Sequence, residues 1–224
     1  MNPESAKSIW LGEFFGTAFL LAIAAGSGIM AEQLSHGNAA IALLANSLAT
    51  GAGLYVLIQC LAPVSGAHLN PVVTLMERLQ GALNTRALIR YWSAQFSGAL
   101  AGVWITHAMF DLPWLQIASK NRTGANLGFS EAVATFGLLM VIRLSKGASP
   151  ERAPLTIAAF ITSAYWFTSS TSFANPAVTV ARSFTDTFCG IAPSDTLGFI
   201  AGQLAGSGLA FWCIGRTKPI ITGK

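Results

Sequence analysis

The chain has 224 residues, of which 53% are hydrophobic and 10% are charged, and its formal net charge is +4. An ordinary soluble domain carries about a quarter charged residues, so this composition excludes a water-soluble globular protein. In a membrane protein the basic residues mainly set orientation, so no nucleic-acid partner is expected. Alternating strand patterns are absent, which argues against a membrane β-barrel. No linker is long enough to separate a second folded unit, so we predict one domain over residues 1–224.

Six apolar segments approach or exceed the length of about 20 residues that a helix needs to cross the hydrocarbon core. In chain order they cover residues 9–31, 39–61, 86–109, 127–145, 154–172 and 196–215. The positive-inside rule favours placing both termini in the cytoplasm. The cytoplasmic residues are then Lys7, Arg78, Arg86, Arg90, Arg143, Lys146, Arg152, Arg216, Lys218 and Lys224, and the outer ones are Lys120, Arg122 and Arg182. We therefore predict a multi-pass protein of the inner (plasma) membrane.

Two further apolar stretches are too short to span the membrane, and each begins with Asn-Pro. They cover Asn70–Leu79 and Asn175–Phe184. Asparagine is a favourable helix N-cap and proline suits the first helical position, so each stretch predicts a short helix. A short capped helix between two spans is typical of a re-entrant segment.

The two halves of the chain, about residues 1–110 and 127–224, carry matching motifs in the same order. The pairs are Glu13-Phe-Phe-Gly-Thr17 with Glu131-Ala-Val-Ala-Thr135, His68-Leu-Asn-Pro-Val72 with Phe173-Ala-Asn-Pro-Ala177, and Gln95-Phe-Ser-Gly98 with Gln203-Leu-Ala-Gly206. Each half holds an odd number of spans, so the second half must enter the membrane from the opposite side. The predicted fold is an all-α membrane protein with six transmembrane helices and two re-entrant half-helices in an inverted repeat.

The inverted repeat brings the N-termini of the two half-helices together near the membrane midplane. Each N-terminus presents unpaired N–H groups and about half a positive charge. Cations and protons are repelled there, whereas the side-chain amides of Asn70 and Asn175 can donate hydrogen bonds to a neutral solute. The sequence therefore predicts a passive channel for small uncharged solutes and not an enzyme.

Two segments resemble a known family, Ser65-Gly-Ala-His-Leu-Asn-Pro-Val-Val-Thr74 and Phe173-Ala-Asn-Pro-Ala-Val-Thr179. They are similar to the paired signature loops of the aquaporin, or major intrinsic protein, family, as are the Glu-x-x-Gly-Thr start of the first span and the total length. The resemblance implies a homotetramer in membrane lipid with one pore per subunit and with no cofactor or metal. It also implies a pore signature of Asn70, Pro71, Val72, Asn175, Pro176 and Ala177, supported by Glu13, Glu131 and His68.

A second, narrower filter of this family departs from its usual composition here. The family usually has arginine three positions after the second signature asparagine, and this chain has Val178. Counted along the matching segments, the other filter residues are Thr50, Ser163 and Ser172. Loss of the arginine widens the constriction and removes up to five N–H donors and a fixed positive charge. We predict an aquaglyceroporin-like filter for glycerol, urea or neutral metalloid acids such as arsenous acid, with water, and the alternative is a mainly water-conducting channel.

Val72 and Arg182 each allow two interpretations. Val72 stands where the family usually has alanine, and it either narrows the pore or only repacks the loop. Arg182 lies about one helical turn beyond Val178. It either guards the outer mouth or forms a surface ion pair with Asp186, and the ion pair is the interpretation we favour.

Two other functional classes are alternatives to a channel. An ion-coupled secondary transporter would need a titratable relay at the midplane, for which Glu13 and Glu131 are the available residues. An intramembrane hydrolase would need a nucleophile or metal motif, but Ala25-Gly-Ser-Gly28 lacks the first glycine of Gly-x-Ser-Gly and no His-Glu-x-x-His occurs.

Overall fold

The computed structural model of the chain describes residues 3–215, which form helices and connecting loops with no strand. The eight α-helices in this range are α1 (Pro3–Leu34), α2 (Ala39–Ser65), α3 (Pro71–Leu79), α4 (Thr85–Met109), α5 (Ala125–Ala148), α6 (Ala153–Phe167), α7 (Pro176–Arg182) and α8 (Pro193–Ile214), and a short 3-10 helix (Pro150–Arg152) precedes α6. The predicted all-α fold and the order of its elements are confirmed. Arg216, Lys218 and Lys224, which were predicted to be cytoplasmic, lie outside the described residues.

Within residues 3–215, four helices are long and apolar enough to cross a membrane by length and composition alone, namely α1, α2, α5 and α8. α4 has 25 residues, but its polar side chains lower its mean hydropathy. α6 has 15 residues and ends at Phe167, which corrects the predicted span of 154–172. The helix ends there because the next residue, Thr168, adopts an extended backbone conformation, and left-handed residues follow at Thr171, Ser172 and Ala174.

The long helices form two similar bundles that pack against each other. α1 packs against α2 and α4, and α5 packs in the same manner against α6 and α8. α2 packs on α6 and thereby joins the bundles. The half-helices α3 and α7 contact each other, and each also packs on a long helix of the opposite half, α3 on α8 and α7 on α4. This exchange places both half-helices in the interior of the molecule.

Glycines allow the closest helix pairs to approach through their backbones. A Cβ atom added to Gly206 of α8 would lie 2.2 Å from the carbonyl oxygen of Ala132 in α5. The first half repeats this contact, since a Cβ on Gly98 of α4 would lie 2.3 Å from the carbonyl oxygen of Phe14 in α1. Small residues at such contacts are typical of helix packing in membranes.

Gly206→Ala is expected to lower the free energy of unfolding by about 1–3 kcal/mol, because the added methyl group must displace backbone of α5. Gly208→Ala on the same helix is the matched control. Nothing lies within 4 Å of a Cβ at Gly208, and alanine is the better helix former, so stability should be unchanged or slightly raised. Thermal unfolding of both purified variants in detergent measures the difference, and equal melting temperatures would contradict the close packing of α5 on α8.

Large apolar side chains cover much of the outer surface of the bundle. Examples are Phe19 on α1, Phe129 on α5 and Leu197 on α8, whose exposed fractions are 59%, 72% and 75%. Apolar exposure of this extent is rare on soluble monomers and suits contact with lipid hydrocarbon or with other membrane-embedded chains. The surface therefore agrees with a multi-pass membrane protein.

Candidate pore and its filter residues

A cavity of about 100 Å³ lies between the two bundles, along the loops that precede α3 and α7. Its lining extends from Lys146 in the last turn of α5 to Arg182 in the last turn of α7. Asn70 and Asn175 both line it, and most of the remaining wall is apolar. The cavity therefore follows the path that a solute would take past the two signature loops.

Both signature asparagines cap their half-helices in the predicted way. Asn70 Oδ1 accepts a hydrogen bond from the backbone N–H of Val72 at 3.1 Å, and Asn175 Oδ1 accepts one from Ala177 at 3.0 Å. The two asparagines have nearly equal backbone angles, with φ of −157° and −156°. In both helices proline follows at the first position, where an N–H would have no helical partner.

The asparagine side chains also tie the two signature loops to each other. Asn70 Nδ2 donates to the carbonyl oxygen of Ala174 at 2.8 Å, and Asn175 Nδ2 donates to that of Leu69 at 2.8 Å. Each amide nitrogen carries two hydrogens and both asparagines line the cavity, so each has a second hydrogen to donate to a solute. The two half-helix N-termini thus meet as a reciprocal pair with free donors.

The loop backbone before each asparagine is left-handed at the same three places, which are four, three and one residues upstream. The residues are Gly66, Ala67 and Leu69 in the first loop and Thr171, Ser172 and Ala174 in the second, with φ between 47° and 85°. For residues other than glycine this conformation costs about 1–3 kcal/mol each. Such loops persist only where surrounding contacts hold them.

Glu13 supplies those contacts in the first half. Its Oε1 accepts from Ser65 Oγ at 2.7 Å and from the N–H of His68 at 3.0 Å, and its Oε2 accepts from the N–H of Leu69 at 2.7 Å and from Gln95 Nε2 at 2.8 Å. The carboxylate is fully buried, and all four donors are neutral. Glu13 thus ties the first signature loop to the end of α2 and to α4.

Glu131 repeats this arrangement in the second half. Its carboxylate accepts from the N–H of Phe173 at 2.9 Å, from the N–H of Ala174 at 2.7 Å and from Gln203 Nε2 at 2.7 Å. Gln203 Nε2 also donates to Thr179 Oγ1 at 2.8 Å, which connects the loop to the half-helix. The matched motifs found in the sequence therefore correspond to matched hydrogen-bond networks.

His68 belongs to the cavity wall and not to a ligand cluster. Its Nδ1 lies 3.1 Å from Thr74 Oγ1, and its ring stacks on Tyr91 at 4.6 Å between centroids. Tyr91 in turn donates from its hydroxyl to the carbonyl of Ser65 at 2.5 Å. These contacts orient the imidazole within the first loop.

Three of the four predicted filter residues line the cavity and one does not. Thr50, Ser172 and Val178 lie on the wall. Ser163 is exposed on the outer face of α6, where its Oγ donates to the carbonyl of Phe160 at 2.7 Å. The prediction for Ser163 is therefore wrong in its placement.

Tyr165 occupies the place in α6 that Ser163 was expected to hold. It lines the cavity, and its hydroxyl donates to Thr50 Oγ1 at 3.3 Å. Ser163 and Tyr165 are two positions apart, which is about 200° of rotation around the helix axis, so Ser163 lies on the face of α6 opposite to the cavity. A signal for the correct face was present in the sequence, because Ile157, Ile161 and Tyr165 recur every four residues and all line the cavity.

The remaining signature residues lie behind the cavity wall. Pro71, Val72, Pro176 and Ala177 are buried, and none of them lines the cavity. Val72 is 1% exposed, so its extra methyl groups repack the first loop and do not narrow the pore. Of the two interpretations of Val72, the structure selects repacking.

Arg182 does not form the favoured surface ion pair. It is 3% exposed, its Nε donates to the carbonyl oxygen of Cys189, and its guanidinium carbon lies 3.5 Å from the ring centre of Phe173. Asp186 instead accepts from the backbone N–H and the hydroxyl of Ser119, at 2.8 and 2.9 Å. Arg182 and Asp186 do not face each other across one helical turn, because α7 ends at Arg182 and the chain leaves the helix before Asp186.

Sequence reasoning also missed the loop between α4 and α5, which packs against the second signature loop and the segment that follows α7. Arg122 Nε donates to the carbonyl of Gly190 at 2.9 Å, and its guanidinium lies 5.1 Å from the Phe173 ring. Lys120 Nζ donates to the carbonyl of Phe188 at 2.8 Å. No local sequence pattern marks these contacts, because they join loops that are distant along the chain.

Long helices in two similar bundles, a cavity between them and two half-helix N-termini that meet beside this cavity are the architecture of a transmembrane pore protein. The chain belongs to the Major intrinsic protein family, whose profile matches residues 2–213.

Individual relatives agree with this membership. The chain is 47% identical to "Aquaglyceroporin AqpS" of Rhizobium meliloti (strain 1021), over 94% of this chain and 92% of that protein. It is 31% identical to "Aquaporin TIP2-1" of Zea mays, over 92% of this chain and 86% of that protein. Among solved structures, the aquaglyceroporin from Plasmodium falciparum superposes with a TM-score of 0.75 at 20% identity, covering 95% of this chain and 96% of that one, which supports the fold.

Proposed function

We propose that this chain is a passive transmembrane channel for small uncharged solutes, with a filter wide enough for glycerol and urea, and that water passes with them. The observation that carries the proposal is Val178, an apolar side chain on the cavity wall at the place where this family usually has arginine. Thr50 and Ser172, on the same wall, are small and uncharged. A constriction of this composition leaves more room than one into which a guanidinium projects, and this room favours passage of a polyol.

Exclusion of ions follows from the paired half-helices. The N-terminus of each carries about half a positive charge, and the two termini face the same stretch of the cavity in a low-dielectric interior. A cation that reaches Asn70 and Asn175 must shed water against this field, whereas a hydroxylated solute replaces its lost hydrogen bonds with the asparagine amides. The pore therefore excludes cations and conducts neutral solutes that form hydrogen bonds.

The proposed solute class is small, neutral and rich in hydroxyl or amide groups. Glycerol and urea meet this description, and so do hydroxylated metalloid acids such as arsenous acid. The name of the AqpS relative supports an aquaglyceroporin over a strict water channel. A mainly water-conducting channel is the alternative.

We further propose that the chain acts as one channel domain with halves at about 1–110 and 127–224, as a homotetramer in the inner membrane with both termini cytoplasmic. Glu13 and Glu131 are proposed to support the loops, because each carboxylate accepts hydrogen bonds from backbone N–H groups of its own signature loop. No part of this mechanism needs a cofactor or a catalytic residue. The exposed apolar surface of the described helices is available for lipid and for neighbouring subunits.

Stopped-flow light scattering on proteoliposomes tests the proposed function. Vesicles are mixed with sucrose, glycerol or urea, and protein-free vesicles give the background. We expect fast shrinkage in all three, followed by fast reswelling in glycerol and urea but not in sucrose. Shrinkage without accelerated reswelling would instead identify the channel as mainly water-conducting.

A further inference from the structure

Arg182 presents an unpaired guanidinium to the outer end of the cavity. It is 3% exposed, and it lines the cavity beyond Val178. Its Nε is bonded to the Cys189 carbonyl, but within residues 3–215 no carboxylate forms an ion pair with it and no hydrogen bond engages its two terminal nitrogens. A buried charge without a partner is costly, so these N–H donors are available to a ligand that brings acceptor oxygens.

The guanidinium is held rigidly. The ring of Phe173 lies 3.5 Å from its carbon, and Phe173 itself packs edge-on against Phe199 at 5.0 Å between centroids. The Cys189 residue that anchors Nε is 1% exposed, and its own Sγ donates to the Ala24 carbonyl at 3.1 Å. Donors that are fixed in advance lose little entropy when a ligand binds.

Ser172 adds a second free polar group to the same cavity. It is 4% exposed, and its Oγ has no hydrogen-bond partner within the described part of the chain. The nearby Tyr165 hydroxyl is already committed to Thr50. Arg182 and Ser172 therefore both bring uncommitted hydrogen-bonding groups to the cavity wall, and Arg182 lies one helical turn, about 6 Å, beyond Val178.

The surroundings of Arg182 are positive. The guanidinium of Arg122 lies 5.1 Å from the centre of the Phe173 ring, the same ring that the Arg182 guanidinium contacts. Burial, and after it the nearby charge of Arg182, lower the pKa of Arg122 to about 10. The carboxylate of Asp195 does not pair with either guanidinium. It accepts hydrogen bonds from the backbone N–H of Arg122 and from the Thr123 hydroxyl, at 2.7 and 2.8 Å.

We propose that Arg182 and Ser172 form a binding subsite for acceptor oxygens at the outer mouth of the pore, and that its ligands are small oxyacids and their anions. The inference rests on the proposed function as a pore. A guanidinium can bind two oxygens of one acid side by side, and the hydroxyl of Ser172 can serve a third. A neutral oxyacid continues past Val178, whereas a doubly charged anion is retained at the mouth and obstructs the pore.

Sulfate is the probe, because it has acceptor oxygens and two negative charges. Osmotic water flux through proteoliposomes is measured with sodium sulfate or with sodium chloride, at equal ionic strength and on both sides, so that channel orientation does not matter. We expect sulfate at its dissociation constant to reduce channel-dependent flux about twofold. Arg182→Gln, which removes the charge, should abolish the block, and Arg86→Met, at an exposed arginine of α4, should leave it intact.

Persistence of the block in an Arg182→Gln channel that conducts water would overturn the proposal, as would the absence of any block in the wild type. Ser172→Ala should weaken the block, so the subsite can be tested independently if Arg182→Gln does not fold. The readout is water flux, so an absent sulfate block leaves the proposed glycerol permeability untouched. Conversely, a sulfate block without glycerol permeability would support the subsite and contradict only the proposed solute class.

Discussion

Val178→Arg is expected to lower glycerol and urea permeability by at least about tenfold, a barrier increase of about 1.4 kcal/mol, while water permeability falls less. Val178 lines the cavity with Thr50 and Ser172, so the added guanidinium would occupy the cross-section that the solute needs. It would also stand one turn from Arg182. Like charges at this spacing repel each other and this wall is buried, so the yield of folded variant is measured together with its permeability.

Val178→Met is the control that separates the effect of a larger side chain from the effect of its charge. Its side chain is long but flexible and uncharged, so glycerol permeability should fall less than in Val178→Arg. Stopped-flow permeabilities for water, glycerol and urea, normalised to the amount of reconstituted protein, measure both variants. Unchanged glycerol permeability in Val178→Arg would mean that this position does not set the width of the pore.

Glu131→Gln is expected to lower the free energy of unfolding by about 3 kcal/mol or more, since hydrogen bonds to charged groups contribute about 1.5–3 kcal/mol each. The carboxylate accepts from two backbone N–H groups, those of Phe173 and Ala174, and from Gln203 Nε2. An amide offers one acceptor oxygen and would direct its own N–H groups at the other donors. The left-handed residues Ser172 and Ala174 would lose the contact that holds them.

Glu151→Gln is the matched control for that variant. Glu151 lies in the 3-10 helix before α6, its side chain is 71% exposed, and its pairing with Arg152 is a surface contact of little value. Thermal unfolding in detergent and the yield of folded protein compare the two substitutions. If both variants have the same melting temperature as the wild type, the second signature loop does not depend on Glu131.

Features with local causes were predictable from the sequence. The caps at Asn70 and Asn175 follow from Asn-Pro alone, because the side chain accepts from the next turn and proline needs no partner for its nitrogen. The support by Glu13 and Glu131 was implied by the resemblance to the family, and it fits the expectation that a carboxylate inside a helix bundle is hydrogen-bonded. In each case one chemical requirement allows one solution.

Features that depend on how segments meet were not predictable in the same way. Counting from a neighbouring motif placed Ser163 on the cavity, but the register depends on where α6 ends and the loop begins, and the structure puts Tyr165 there. Arg182 was assigned to Asp186 by helical spacing, although α7 ends before the spacing applies. Its contact with Phe173 arises from the fold of the loop and not from the helix.

Equilibration of radiolabelled glycerol across proteoliposomes, with and without an imposed proton or sodium gradient, tests the central claim of a passive pore most directly. A passive channel accelerates equilibration to the same extent in both conditions and ends at equal concentrations inside and outside. Accumulation of glycerol above its external concentration under an ion gradient would contradict the claim, and it would identify a coupled transporter in which Glu13 or Glu131 titrates.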